Sequence, residues 1–318
     1  MKILIVRFSS IGDIVLTTPI VRCLKEQLKG LELHYLTKQK FASVIENNPH
    51  IDKLITIKDS TSEVIKQLKA ENYDYVIDLH HNIRTLKLKW TLGKKSYSFN
   101  KLNLEKFLIV NFKINQLPKK HIVDRYFETT QAFNIINDNK GLDYFIAEKD
   151  QVDIALALPS NFSNGYNALV VGGSYYTKQI PLNKLIEISE KSSRPLVLMG
   201  GKEDSPMAEK VQQVLKDKVF NACGKFSINQ SASVIQQSQK VITSDTGLMH
   251  IAAAYKKEVI SLWGNTIPEF GMGPYFPGEN SQILEVKNLS CRPCSKLGYK
   301  KCPKGHFKCM NEIVIPEV

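Results

Sequence analysis

One aspartate near the start of the chain stands where a carboxylate could do chemistry. The stretch VRFSSIGDIV, residues 6–15, places Asp13 just past a short Ser-Ser-Ile-Gly turn, between one apolar run and the next. An aspartate at this point of a strand-turn-helix unit either caps the helix or acts as a base that removes a proton from a hydroxyl group. The spacing alone leaves both interpretations open.

A second candidate site lies in SDTGLMHIAAA, residues 244–254. A predicted strand runs into Asp245, Thr246 and Gly247, and a predicted helix begins at once. Backbone N–H groups at a helix start have no intrahelical partner and, together with the helix dipole, favour a diphosphate. His250 lies one turn further along, within reach of the same site. The alternative is that the polar residues cap the helix and that His250 packs in the core.

Two glycine-rich turns in the same half of the chain predict further contacts to a nucleotide. In VVGGSYYTKQIP, residues 170–181, small residues including Ser174 precede Lys178, whose ammonium group is a compact charge for a phosphate. In LMGGKED, Glu203 is placed to accept a hydrogen bond from a ribose hydroxyl. Taken alone, each turn is equally compatible with a solvent-exposed loop that binds no ligand. The chain contains neither GxGxxG nor a Walker A sequence, so NAD binding and nucleotide hydrolysis lose support.

The tail LSCRPCSKLGYKKCPKGHFKCMNEI, residues 289–313, contains a CxxC pair followed by two further cysteines. Four cysteines in such a pattern predict a tetrahedral structural zinc site, with reduced free thiols as the alternative. The candidate metal ligands are Cys291, Cys294, Cys302 and Cys309.

The elements that must position these residues alternate regularly along the chain. Short apolar strands alternate with helical patterns in both halves, which predicts an α/β protein with two doubly wound parallel sheets. The stretch 150–167 lacks this periodicity and is interpreted as a linker. We therefore predict two Rossmann-like domains, residues 1–155 and 165–318, with ligands in a cleft at the carboxyl ends of the strands. The predicted strands are 2–7, 32–37, 53–57, 75–80, 95–99, 168–172, 195–199, 219–222, 240–244, 258–263 and 283–286.

Composition and charge indicate where the protein is found and what kind of partner it binds. The chain has 318 residues and a net charge of +12, with no apolar run near the roughly 20 residues of a membrane span and no signal-peptide pattern. We expect a cytoplasmic monomer. Between Arg84 and Lys120, ten basic residues meet one acidic residue, and such a local basic field predicts an anionic partner.

The same basic segment carries interleaved apolar side chains. They either rest at a lipid interface while the lysines meet head groups, or they belong to the protein core beneath a solvated helix face. These apolar residues are Leu86, Leu88, Trp90, Leu104, Phe107, Leu108 and Phe112.

Five stretches of the chain resemble glycosyltransferase family 9, the bacterial lipopolysaccharide heptosyltransferases. They are ILIVRFSSIGDIVLTTP, VIDLHHNIRT, GGSYYTKQIP, SDTGLMHIAAA and LWGNTIP, which occur in family order over nearly the whole chain. The resemblance implies a GT-B fold, in which two Rossmann-like domains face a cleft. It also implies inverting transfer from a nucleotide-activated heptose, usually ADP-heptose, to an anionic lipid-linked core sugar at the inner face of the cytoplasmic membrane. No cofactor is required for that reaction.

The resemblance also implies roles for individual residues. Asp13 falls on the family's proposed base, and Asp245 falls on its donor-sugar contact. Lys178, Thr246 and Gly247 fall on the contacts to the donor diphosphate. Ser174 and Glu203 align more loosely with donor-binding positions, and His250 is a further donor-site candidate.

The first domain binds the acceptor in proteins of this family, and our candidates for that role are Arg84, Lys87 and Arg125. Two other readings stay open beside this one. One is a transferase of the same family that uses a different donor sugar. The other is a non-catalytic protein that binds a nucleotide sugar or an anionic polymer. We expect no nucleic-acid partner, because the chain has no helix-turn-helix, RRM or zinc-finger spacing.

Overall fold

The computed structural model describes all 318 residues, which form two compact units. Unit 1 comprises Met1–Lys101 and Lys120–Phe145, and unit 2 comprises Leu102–Lys119 and Ile146–Val318. The basic segment 84–120 falls within the predicted first domain, residues 1–155. In the structure this segment is divided, because residues 102–119 belong to unit 2.

Unit 1 is a five-stranded parallel sheet with helices on its faces. The strand order is β3-β2-β1-β4-β5. The strands are β1 Lys2–Val6, β2 Glu32–Lys38, β3 Lys53–Ile57, β4 Tyr75–Asp78 and β5 Lys95–Ser98. The α-helices are α1 Ile11–Val15, α2 Thr18–Gln27, α3 Ile65–Ala70, α4 Ile83–Leu92 and α6 Ile122–Phe127.

Unit 2 is a six-stranded parallel sheet with the order β11-β10-β9-β6-β7-β8. Its strands are β6 Asn167–Val170, β7 Leu196–Met199, β8 Val219–Asn221, β9 Lys240–Ser244, β10 Glu258–Trp263 and β11 Gln282–Glu285. Its α-helices are α5 Asn103–Phe112, α7 Ile154–Ala157, α8 Leu182–Lys191, α9 Ser205–Leu215, α10 Ile228–Gln237, α11 Gly247–Ala254 and α12 Lys308–Asn311.

Each sheet has one point at which the strand order changes direction. It lies between β1 and β4 in unit 1 and between β6 and β9 in unit 2. Loops that follow two such neighbouring strands diverge and leave a crevice outside the carboxyl ends of the strands, where open α/β sheets bind ligands. The stretches that contain Asp13, Lys178 and Asp245 all follow strands at these two points.

Helix α5 joins unit 2 through apolar contacts that the sequence does not reveal. Ile109 is buried against Ile267 and Phe270, and the Lys106 ammonium lies 5.7 Å from the centre of the Phe270 ring. Lys113 Nζ donates to the carbonyl oxygen of Pro293 at 2.6 Å. No helix anywhere in the structure has the length and apolarity needed to cross a membrane.

Candidate active site

Asp13 lies in the first turn of α1, directly after the loop that follows β1. Its Oδ2 atom accepts hydrogen bonds from the Ser10 backbone N–H at 3.0 Å and from the Ser10 hydroxyl at 2.7 Å. The carboxylate therefore does support the start of the helix. Its side chain is 23% exposed, so it is also open to a substrate, and capping and base catalysis are compatible roles for this residue.

Arg7 holds the other oxygen of this carboxylate, a contact that the sequence analysis missed. Its Nη2 lies 2.5 Å from Asp13 Oδ1. The buried guanidinium also donates from Nη1 to the Tyr126 hydroxyl at 3.1 Å and to the Leu79 carbonyl oxygen. Burial has the largest single effect and lowers the pKa of Arg7, but the Asp13 carboxylate together with Tyr126 and Tyr35 raises it by more, so the net shift is upward. The pair therefore fixes both the position and the orientation of the Asp13 carboxylate.

Aromatic side chains surround the loop that carries Asp13. The rings of Phe8 and His80 lie 5.0 Å apart, and the Arg84 guanidinium lies 5.7 Å from the centre of the Phe8 ring. Burial, and then the positive charges of Arg7 and Lys101, lower the pKa of His80 to about 3. His80 is therefore neutral near pH 7, and the positive charges around it are those of Arg7, Lys101 and Arg84.

The structure separates the three acceptor candidates. Arg84 is exposed beside the Asp13 loop, and Lys87 is exposed one turn further along α4. Arg125, by contrast, is only 2% exposed and donates from Nη1 to the Asn100 carbonyl oxygen at 3.4 Å. Its acceptor role stays a prediction, and its position is that of a buried residue.

A pocket that the sequence analysis missed lies at the carboxyl ends of β2 and β3. Three lysines, a glutamine and an aspartate line it, and this composition favours a small anion. The lining residues are Lys38, Gln39, Lys40, Lys58 and Asp59.

Two predicted donor-site residues meet in unit 2. Lys178 Nζ lies 2.6 Å from Asp245 Oδ2, and both side chains are partly exposed. Thr266, in the loop after β10, donates from its hydroxyl to the same Asp245 oxygen at 3.2 Å. The loops after β6, β9 and β10 thus converge on one cation–carboxylate pair.

The start of α11 has both features that the sequence left open, a helix cap and a position that favours an anion. The Thr246 hydroxyl accepts from the Met249 backbone N–H at 3.4 Å and shares a hydrogen bond with Thr243 at 3.0 Å, so Thr246 is a helix cap. Gly247 is the first residue of the helix beside the Lys178–Asp245 pair, which is where the dipole favours an anion. His250 is buried, which agrees with the core-packing alternative, and its donor-site role stays a prediction.

The glycines of the two glycine-rich turns are needed for packing inside the protein, apart from any approach of a ligand. A Cβ atom on Gly172 would lie 2.2 Å from Asp204 Oδ2, and one on Gly200 would lie 2.8 Å from the same atom. The glycines therefore admit the Asp204 carboxylate, which accepts from the Gly201 N–H at 2.8 Å. Ser174 and Glu203 are exposed, and Glu203 lines a pocket with Val171, Gln179, Ile180, Asp204, Pro206, Met207 and Lys210.

The cysteine-rich tail contacts the loops that carry the donor-site residues. Arg292 donates from Nε to the Gly264 carbonyl oxygen at 2.6 Å and from Nη2 to that of Thr266 at 2.9 Å. The Tyr299 backbone N–H donates to the Thr177 hydroxyl at 2.8 Å, and the Thr177 N–H donates back to the Tyr299 carbonyl oxygen at 3.2 Å. The tail therefore braces both the residue before Lys178 and the residue that hydrogen-bonds Asp245.

All six cysteines are free thiols, four of them in this tail. Burial, and then the nearby thiols, raise the pKa of Cys309 to about 12 and also raise that of Cys294. The His306 Nδ1 accepts from the Lys308 N–H at 3.0 Å, so its Nε2, 3.9 Å from the Cys291 sulfur, carries the proton. His306 thus lies within hydrogen-bond distance of the Cys291 sulfur.

No three candidate ligand atoms of the tail lie within 4.8 Å of one another, although its other three thiols are near enough to Cys309 to raise the pKa of that thiol. The only group of three or more His, Cys, Asp or Glu ligand atoms within 4.8 Å of one another is that of Glu32, His34 and Glu71, and lysines already pair with both of its carboxylates. Thiolates on one zinc ion lie roughly 4 Å apart, given Zn–S bonds of about 2.3 Å. The zinc site of the tail therefore stays a prediction.

Elemental analysis of the purified protein tests that site. If zinc is bound, we expect about one zinc ion per chain, its loss in a Cys294→Ser, Cys302→Ser double variant, and a lower Tm after chelation, because metal affinity contributes to folding. Cys23→Ser, which removes a buried cysteine of unit 1, is the control. Metal-free protein with four tail thiols that react after unfolding would establish the free-thiol alternative.

The sequence profile of glycosyltransferase family 9 (heptosyltransferase) matches residues 61–303. The chain belongs to glycosyltransferase family 9. It is 25% identical over 289 residues to lipopolysaccharide heptosyltransferase 1 of Campylobacter coli, covering 84% of each protein. The protein is accordingly a glycosyltransferase, as the sequence analysis predicted.

Solved structures of similar proteins confirm the fold. The glycosyl transferase family 9 protein of Veillonella parvula matches with a TM-score of 0.74 and 24% identity over 90% of this chain and 86% of that one. ADP-heptose lps heptosyltransferase II of E. coli matches with a TM-score of 0.73 and 16% identity over 98% of both chains. Together with the two parallel sheets, these likenesses confirm the predicted GT-B architecture of two Rossmann-like domains.

Proposed function

We propose that this protein transfers a heptosyl group from ADP-heptose to the core of a lipopolysaccharide or lipooligosaccharide, with inversion at the anomeric carbon. The observation that carries the proposal is that chemically suited groups occupy both strand-order switch points: Asp13 held by Arg7, and Lys178 paired with Asp245 at the start of α11. The names of the similar proteins support heptose as the sugar, ADP as its carrier and the lipopolysaccharide core as the acceptor.

The proposed reaction needs one base and one stabilised leaving group. Asp13 takes the proton of the acceptor hydroxyl as that oxygen bonds to the anomeric carbon and the bond to the diphosphate oxygen breaks. Lys178 and the N–H groups at Gly247 stabilise the negative charge that grows on the departing diphosphate. Glycosidases use a second carboxyl group to protonate the leaving oxygen. A diphosphate leaves as an anion, so one carboxylate is sufficient and no cofactor is required.

An anionic glycolipid acceptor fits the charge of unit 1. Arg84 lies beside the Asp13 loop, and the pocket at the ends of β2 and β3 presents Lys38, Lys40 and Lys58. Phosphates and acidic sugars of a lipid-linked core would be attracted to these cations. We propose that the protein works as a monomer at the inner face of the cytoplasmic membrane.

A thermal-shift panel of nucleotides and nucleotide sugars tests the donor. At roughly 100 times the dissociation constant a ligand stabilises the folded state by about 2.7 kcal/mol, which raises Tm by roughly 4–7 °C. We expect this shift with ADP and ADP-heptose and a smaller one with UDP and UDP sugars. A larger shift with another nucleotide sugar would establish a different donor.

Transfer itself is measured as ADP release from ADP-heptose in the presence of purified core acceptor, and the anomeric configuration of the product is read by NMR. We expect acceptor-dependent release and an inverted product. A protein that binds ADP-heptose with no release under any acceptor condition would be a non-catalytic binding protein.

A further inference from the structure

One face of helix α4 presents three large apolar side chains to solvent. Ile83, Leu86 and Trp90 are 74%, 60% and 87% exposed. They recur at positions i, i+3 and i+7, which places them within roughly 60° of the helix circumference. Leu88, on the opposite side, is buried in the core of unit 1. Such clustered exposure marks an interaction surface, whereas single exposed apolar residues are ordinary.

The helix that carries this face is held firmly. At its start the Thr85 N–H donates to the Asn82 side chain at 3.0 Å, and the Asn82 N–H donates to the Thr85 hydroxyl at 2.9 Å. At its end Gly93 adopts a left-handed conformation with φ of +63° that favours glycine. Lys89 Nζ lies 3.0 Å from the buried Asp78 carboxylate. The apolar face is therefore presented on a fixed scaffold.

The apolar face lies in a part of the sequence that carries positive charge and no negative charge. Residues 79–104 contain six basic residues and no acidic residue. Lys87 and Lys95 are exposed and have no acidic partner, and Lys95 lies over the Tyr97 ring. The two chemistries that this surface offers together, apolar contact and cationic contact, are those of an anionic lipid interface.

We propose that the α4 face, defined as Ile83, Leu86 and Trp90 together with the exposed Lys87 of the same helix, docks the protein on an anionic lipid bilayer, with Lys95 at the start of the next strand, β5, as a further cation. Tryptophan favours the boundary between head groups and acyl chains because its ring is apolar and its N–H is polar. A convex single-helix face suits a bilayer, which needs no matching pocket on the protein.

The position of α4 connects docking with the candidate base. The helix begins three residues after His80, whose ring contacts Phe8 in the Asp13 loop. An acceptor anchored in the same bilayer would be delivered next to Asp13. This last step rests on the proposed function, whereas the docking itself does not and is measured without any substrate.

The chain has two tryptophans, which makes the test specific. Trp263 is fully buried, so only Trp90 can respond to lipid. On addition of vesicles of phosphatidylglycerol and phosphatidylcholine, we expect a blue shift of tryptophan emission and quenching by brominated acyl chains. Both signals should vanish in Trp90→Phe, a variant that still sediments with vesicles. An unchanged emission spectrum with bound vesicles would overturn the proposal.

Sedimentation with vesicles separates the apolar and the electrostatic contributions. We expect a Leu86→Ser, Trp90→Ser variant to partition at least ~10-fold less and a Lys87→Gln, Lys95→Gln variant to lose roughly fivefold per charge removed, while ADP affinity is unchanged. The matched control is Ile136→Ser, which removes a 73% exposed residue of unit 1 and should partition like the wild type.

Three outcomes would contradict docking on an anionic bilayer. The first is equal partitioning to neutral and anionic vesicles that salt does not weaken. The second is equal loss in Ile136→Ser and in the Leu86, Trp90 variant. The third is a concentration-dependent dimer that the same variant abolishes, which would assign the face to a second copy of this chain.

Discussion

Replacing Asp13 by asparagine is expected to slow glycosyl transfer by roughly 10²–10⁴-fold, the range typical of a lost general base. The amide oxygen can still accept the hydrogen bond from the Ser10 N–H, so the start of α1 is retained. The amide cannot take up the proton of the attacking hydroxyl group. The measurement is kcat from ADP release at saturating donor and acceptor, with donor affinity determined separately by calorimetry.

A control variant and two further measurements, of Tm and of ADP affinity, distinguish a lost base from a damaged fold. Asp153→Asn is the matched control, because Asp153 caps α7 through a hydrogen bond from the Ala155 N–H at 2.9 Å and should have a normal kcat. Asp13→Asn also leaves the buried Arg7 without its counter-charge, so a lower Tm is expected. Unchanged ADP affinity would show that unit 2 is intact. Near-normal turnover in Asp13→Asn would leave Asp13 with the role of a helix cap.

The strands were predictable because a parallel sheet needs continuous apolar, β-branched runs. All eleven predicted strands occur within two residues of the expected ends. Adjacency of the predicted site loops also followed, since the carboxyl ends of parallel strands share one edge. This is why Lys178 and Asp245, 67 positions apart in the sequence, could be assigned to one site before their 2.6 Å contact was seen.

Side-chain burial at the sites was not predictable, because it depends on long-range packing. Arg7 directly follows a strand and gives no sign in the sequence that it is buried under Tyr126 and paired with Asp13. Arg125 was predicted to contact the acceptor, yet it is almost completely buried. Charge alone distinguishes neither arginine from a surface residue, because Tyr126, which contacts Arg7, and Asn100, which contacts Arg125, are both distant in the sequence.

In the basic segment 84–120, the sequence also could not predict which unit each helix joins. Its first helix, α4, packs Leu88 on the core of unit 1, whereas its second, α5, packs Ile109 against Ile267 and Phe270 in unit 2. The periodicity of the two helices is alike, so the sequence could not assign them to different units. Of the apolar residues that the sequence marked for a lipid interface, Leu86 and Trp90 are exposed on α4, and Leu88 is a core residue.

Replacing Lys178 by alanine is expected to weaken ADP binding by roughly 10–100-fold, the equivalent of about 1.5–3 kcal/mol for a charge-assisted hydrogen bond. Two effects act in the same direction. The variant loses the cation that contacts the diphosphate, and it leaves the Asp245 carboxylate, now without its partner 2.6 Å away, beside an incoming anion. Turnover should fall as well, because the same charge stabilises the leaving group.

Lys240→Ala is the matched control for this prediction, since it removes a lysine from a second lysine–carboxylate pair of the same sheet. Lys240 Nζ lies 3.1 Å from Glu258 at the amino ends of β9 and β10, the edge opposite the candidate site. Calorimetric titration with ADP should give the wild-type dissociation constant for Lys240→Ala and a raised one for Lys178→Ala. A Lys178→Ala, Asp245→Asn double variant separates the two effects, because removal of the carboxylate should restore part of the lost affinity. Unchanged ADP affinity together with a normal rate in Lys178→Ala would show that the donor diphosphate binds elsewhere.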